Sequence, residues 1–91
     1  MTPVKQKKDC ILRQVAGEYL LIPTGAAAVN LNGMITLSET AAFVWKRLEE
    51  EQSFDTLLAA VLETYEVEEA LAAAELRQTL ASLAGLGLLE P

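Results

Sequence analysis

The sequence predicts an α+β fold in which a small antiparallel β-meander of three to four short strands precedes three α-helices. Three observations predict it. Short β-branched and apolar runs punctuated by turn residues fill the segment from Cys10 to Leu37. Ser38 and Ser53 each open a stretch whose apolar residues recur every three to four positions, and Gly85 and Gly87 close another such stretch near the C-terminus. With strands and helices segregated along the chain, the helices must cover one face of a sheet too small to stand alone.

Residues 1–9, "MTPVKQKKD", are expected to be a flexible N-terminus, and residues 10–91 a single domain. "CILRQVA", Cys10 to Ala16, and "YLLIP", Tyr19 to Pro23, read as two strands of a hairpin closed by a Gly17-Glu18 turn. Pro23 ends the second strand and "TGAAA" makes a corner. "AAVNL" and "MITL" flank Asn32-Gly33, a pair suited to the two positive φ values of a type I′ turn, so a second short hairpin or kinked strand is expected there.

Ser38 is placed to cap the first helix, with Glu39 in the first turn where the helix dipole favours a negative charge. Leu37 can staple onto it, and Ala41, Val44, Trp45 and Leu48 form its apolar stripe, running to about Glu50. Ser53 caps the second helix, whose apolar face includes Phe54, Leu57, Leu58, Val61, Leu62 and Tyr65. The third spans roughly Glu68 to Ala84 with Leu76, Leu80 and Leu83 as its main stripe.

Composition excludes several functions. An apolar share of 52% against 22% charged residues marks a folded globule. No apolar run reaches the roughly 18 residues a membrane span requires, and no signal-type stretch follows the basic N-terminus, so a cytoplasmic protein with no membrane partner is expected. Seven basic against thirteen acidic residues leave a net charge of −6, which repels a phosphate backbone. Nucleic acid is therefore not an expected partner. With no histidine and one cysteine, Cys10, the chain lacks the usual nucleophile and base sets, and it can build no zinc site from them. The carboxylate groups Glu49–Glu51 and Glu66, Glu68 and Glu69 lie at helix ends, where solvated charge is the ordinary reading. No enzyme activity, metal or cofactor is expected.

Binding remains. "MITLSETAAFVW", then "SFDTLLAAVLETYEV", then "AELRQTLASLAGLGLLE" resemble, in order and spacing, the coenzyme PQQ synthesis protein D (PqqD) family, from about Cys10 to Glu90. The resemblance implies a winged helix-turn-helix-like domain, the RiPP recognition element. Such a domain binds the leader segment of a ribosomally made precursor peptide and presents it to a modifying enzyme, typically a radical SAM maturase. The chain departs from PqqD proper at Ser38, where the family often has Asn, at "EEEQ" in place of a Cys-Asp-Gly turn, and at Thr79, a position often aromatic. It therefore looks like a PqqD-like relative.

By this resemblance the docking edge is Met34, Ile35 and Thr36, and the third helix is the opposite wall, with Leu76 and Leu80 as an apolar floor and Arg77 as a cation for an acidic leader residue. A free strand edge accepts a guest strand through its unpaired main-chain groups. Each residue also has an ordinary reading: leucines at helical spacing are commonly core, and Arg77 commonly solvated. The competing functions are a structural scaffold or dimerising subunit of a biosynthetic complex, with strand exchange giving a homodimer, and a winged-helix DNA-binding regulator. The last needs a basic third helix, and here Arg77 faces Glu68, Glu69 and Glu75.

Overall fold

A computed structural model describes residues 3–8, 10–24 and 33–90. In chain order the elements are β1 (Lys5–Gln6), β2 (Cys10–Val15), β3 (Glu18–Pro23), β4 (Ile35–Leu37), α1 (Glu39–Arg47), α2 (Phe54–Thr64), α3 (Glu69–Gly85) and β5 (Leu89–Glu90). The antiparallel sheet β2-β3-β4 followed by three helices is the α+β arrangement that the sequence predicts, and a second, two-stranded sheet pairs β1 with β5. The "AAVNL" segment and Asn32 of the second expected hairpin lie outside the described residues. Among those described, no helix is long and apolar enough to cross a membrane.

The first hairpin turns one residue earlier than expected. Its corner is Ala16-Gly17, both at positive φ (52° and 82°), and Glu18 belongs to β3 opposite Val15. Burial selects this register. It sets Leu12 opposite Leu21, which is fully buried, whereas a Gly17-Glu18 turn would set Gln14 there. Ala16 accepts a left-handed conformation that costs an L-residue roughly 1 kcal/mol. Ala16→Asn, which completes an Asn-Gly type I′ corner, should therefore stabilise the fold by about 0.5–1 kcal/mol, read as a higher urea midpoint with unchanged slope.

The helix caps follow the sequence closely. Ser38 Oγ accepts from the Ala41 N–H at 3.1 Å, and Ser53 and Thr56 form a reciprocal capping box. α1 ends at Arg47 rather than near Glu50, because the Glu49 and Glu50 N–H groups turn back tightly to the Lys46 and Arg47 carbonyls. At the end of α3, Gly87 at φ 74° donates to the Ala84 carbonyl and Leu88 to the Leu83 carbonyl, both at 3.0 Å, and this Schellman closure drops Leu88 into the core.

The N-terminal segment expected to be flexible is instead stitched to the body from Val4 to Lys7. Val4 and Gln52 exchange main-chain hydrogen bonds at 2.7 and 2.8 Å, Gln6 N–H donates to Leu48, and Lys7 N–H donates to Leu88. Gln6 is buried, and its Nε2 donates to the Trp45 carbonyl at 2.6 Å, satisfying an acceptor near the C-terminal end of α1. Polar, lysine-rich composition hid this strand, whose pairing depends on partners more than forty residues away. The core itself joins Leu21 of β3 to Val44, Trp45, Leu48, Leu57, Val61, Leu76 and Leu83 of the helices.

Candidate functional site

The register of the sheet decides which main-chain groups β4 offers. A two-residue turn is closed by a hydrogen-bonded pair, so Glu18 aims its N–H and C=O at Val15 of β2. Alternation then aims Tyr19 and Leu21 at β4, where they pair with Leu37 and Ile35. Thr36, between those two, aims its N–H and C=O the other way. That edge has no strand partner among the described residues. Met34 precedes β4 and Ser38 follows it, and the Ser38 carbonyl already accepts from Ala42 at 2.9 Å to begin α1.

A groove of about 430 Å³ opens along this edge. Its first wall is β4 and the start of α1, through Ile35, Thr36, Leu37, Ser38 and Ala41. The second wall is one face of α3, through Glu75, Gln78, Thr79, Ser82, Leu83 and Leu86. The spacing from Glu75 to Gln78 and Thr79, Ser82 and Leu86 places these side chains along one stripe of the helix. Leu83 and Ala41 are buried and form the bottom; Leu86 is 40% exposed and stands at the rim.

Of the six residues singled out from the sequence, Ile35 and Thr36 line this groove. Met34 is 61% exposed at the start of the strand, outside the lining. Leu76 is buried in the core, Leu80 packs against that core half-buried, and the Arg77 guanidinium lies 5.4 Å from the centre of the Phe54 ring. The stripe that faces β4 is rotated from the one the sequence suggested. The physical reason is that α3 has apolar residues on more than one side, and the most apolar stripe packs inward on α1 and α2. The missed groove residues had a faint signal: Gln78, Thr79 and Ser82 form a neutral, small-to-medium polar strip at helical spacing between acidic and apolar stretches.

Elsewhere, Phe43 and Tyr65 meet edge to face with centroids 5.6 Å apart. Burial, and then the Glu39 carboxylate and Tyr19, hold the Tyr65 phenol above its ordinary value, so it is neutral at physiological pH.

A short free strand edge facing a helix across a groove is a recurrent arrangement for taking up an extended peptide. Comparison with protein families assigns residues 18–89 to coenzyme PQQ synthesis protein D (PqqD). The chain belongs to the PqqD family. The matched span runs from the start of β3 to β5 and so contains both walls of the groove. No curated protein matches the chain in sequence. Among solved structures, this PqqD-family chain is similar to TbiB1, determined in complex with the TbiA(beta) leader peptide, at 22% identity over 94% of each chain with a TM-score of 0.71. It is also similar to lasso peptide synthetase B1 complexed with the leader peptide, at 20% identity over 97% of this chain and 98% of that one, with a TM-score of 0.71. A third similar structure is the PqqD truncation of Methylobacterium extorquens PqqCD, a stand-alone RiPP recognition element, at 19% identity over 98% and 89% of the two chains with a TM-score of 0.73. At these identities the likeness establishes a shared fold.

Proposed function

We propose that this PqqD-family chain is a non-catalytic recognition element that docks the leader segment of a ribosomally synthesised precursor peptide and presents it to a modifying enzyme of the radical SAM maturase type. The observation that carries this reading is the outward-facing main chain of Thr36 set across a groove from the α3 stripe. An incoming extended segment adds a strand beside β4, using the Thr36 N–H and C=O and its neighbours as a ladder, while Gln78, Thr79, Ser82 and Leu86 read its side chains. Family membership and the leader-bound state of two similar structures support the same choice of guest.

The competing DNA-binding reading needs a cationic third helix. α3 carries Arg77 alone, stacked over Phe54, together with Glu69 and Glu75. Titrating the isotope-labelled chain with the leader of the precursor peptide encoded nearest its own gene should shift the amides of Ile35–Leu37 and of Gln78–Ser82. Shifts confined to α2 would overturn the proposal. Shifts at β4 that grow with protein concentration in the absence of peptide would assign the edge to a second copy of the chain.

A further inference from the structure

The charge pattern of the groove points to a guest of defined sign. Seven cationic side chains exist in the chain, and none lines the groove. Three lie over aromatic rings: Lys46 over Tyr19 at 6.0 Å, Arg47 over Phe43 at 6.0 Å, and Arg77 over Phe54 at 5.4 Å. Lys5, Lys7 and Lys8 belong to the N-terminal segment around β1, and Arg13 sits on β2, two strands from β4. Glu75 is the charged residue of the lining, and the other polar groups there, such as Thr36, Gln78 and Ser82, are neutral. The N-terminus of α1 would attract an anion at the same wall, but Ser38 Oγ already accepts from the Ala41 N–H, and Glu39 sits in the first turn to offset the dipole.

From this we propose that Glu75 selects a leader segment with a lysine or arginine on its groove-facing side, and that the groove disfavours an acidic residue there. The inference rests on the docking reading above and assigns the chemical class of its guest. Geometry also sets a spacing. Glu75 on α3 and Leu86, which caps its C-terminal end, are eleven positions apart, roughly 16 Å along the axis, which an extended strand covers in just under five residues. For a guest strand lying along the axis of α3, whose residues on one face recur at even intervals, the basic residue and the apolar residue that meets Leu86 are about four positions apart. The net charge of −6 reinforces the choice by drawing cationic peptides to the surface.

The test is selection of a display library of random dodecapeptides on the full chain, repeated on Glu75→Lys and Glu75→Gln. Glu75 is exposed, so both variants should keep the far-UV circular dichroism and melting temperature of the parent. Peptides enriched on the parent should carry lysine or arginine four residues from an apolar side chain, and those enriched on Glu75→Lys should carry aspartate or glutamate in its place. A synthetic lysine-bearing peptide should bind Glu75→Gln roughly twofold to fivefold more weakly than the parent, with the difference shrinking as salt rises. Enriched peptides that shift the Thr36 amide without preference of charge, or whose preference is the same on Glu75→Lys, would overturn the role of Glu75 and leave docking standing. Enriched peptides that leave the β4 amides unmoved would overturn the docking reading itself.

Discussion

Thr36→Pro is expected to lower leader affinity at least roughly tenfold while leaving the fold intact, because proline removes one N–H of the ladder and sets its ring where the guest strand must lie. The asymmetry between neighbours makes the prediction sharp. Thr36 aims away from β3, whereas Ile35 and Leu37 pair with Leu21 and Tyr19. Proline is tolerated in an edge strand only where its missing N–H faces outward. Ile35→Pro or Leu37→Pro should therefore break the β3–β4 ladder and cost roughly 3 kcal/mol of stability, while Thr36→Pro should melt within a few degrees of the parent. Fluorescence polarisation with a labelled leader and thermal melts of the three variants separate these outcomes. A Thr36→Pro variant that unfolds while Ile35→Pro does not would reverse the assignment of which groups face the groove. Thr36→Val keeps the main chain and should bind within about twofold of the parent, since direct side-chain bonding is not what the ladder uses.

The second large effect separates core from groove on one helix. Leu76→Ala is expected to cost about 2–5 kcal/mol, the range for emptying a fully buried leucine site. Leu76 is 2% exposed and packs within the cluster that holds Val44, Trp45 and Leu57. A domain of this length has only about 5–14 kcal/mol to lose, so the melting temperature should fall by roughly 10 °C or more. Leu86→Ala, at the groove rim, should change stability by at most about 0.5 kcal/mol yet weaken leader binding by roughly fivefold or more through lost apolar contact. Denaturant titration paired with binding isotherms for the two variants checks this. Equal losses of stability would place Leu86 in the core and remove it from the peptide wall.

These contrasts locate the limit of sequence reading on α3. Hydrophobic periodicity marks Leu76, Leu80 and Leu83 as a stripe but does not say what the stripe meets. Packing buries Leu76 in the core and Leu83 at the bottom of the groove, whose wall on this side is left with Glu75, Gln78, Thr79, Ser82 and Leu86. Resemblance implies Arg77 as a cation for an acidic leader residue; in the structure its guanidinium lies 5.4 Å from the centre of the Phe54 ring, outside the groove lining. The hairpin corner shows the same limit at smaller scale. Gly17 announces a turn, and only the burial of Leu21 beside Leu12 decides that Ala16 rather than Glu18 completes it.

Local chemistry, by contrast, was legible. Ser38 and Ser53 cap the helices they precede, Gly87 takes the left-handed φ that stops α3, and Trp45 fills the core, because each of these outcomes is set within a few residues of its own position. The sequence by itself thus determined the succession from a small antiparallel sheet to three helices, the serine caps that start α1 and α2, the glycine that stops α3, the acidic, histidine-free character of the chain, and a short strand directly before α1. Tertiary structure alone decided that Val4–Lys7 is tied to the body, which face of α3 looks at β4, and which main-chain groups of that strand point outward. The reason is that these depend on pairings between residues far apart in the chain, and such pairings are chosen by the burial of Leu21, Leu76 and Leu88 together rather than by any short run of residues.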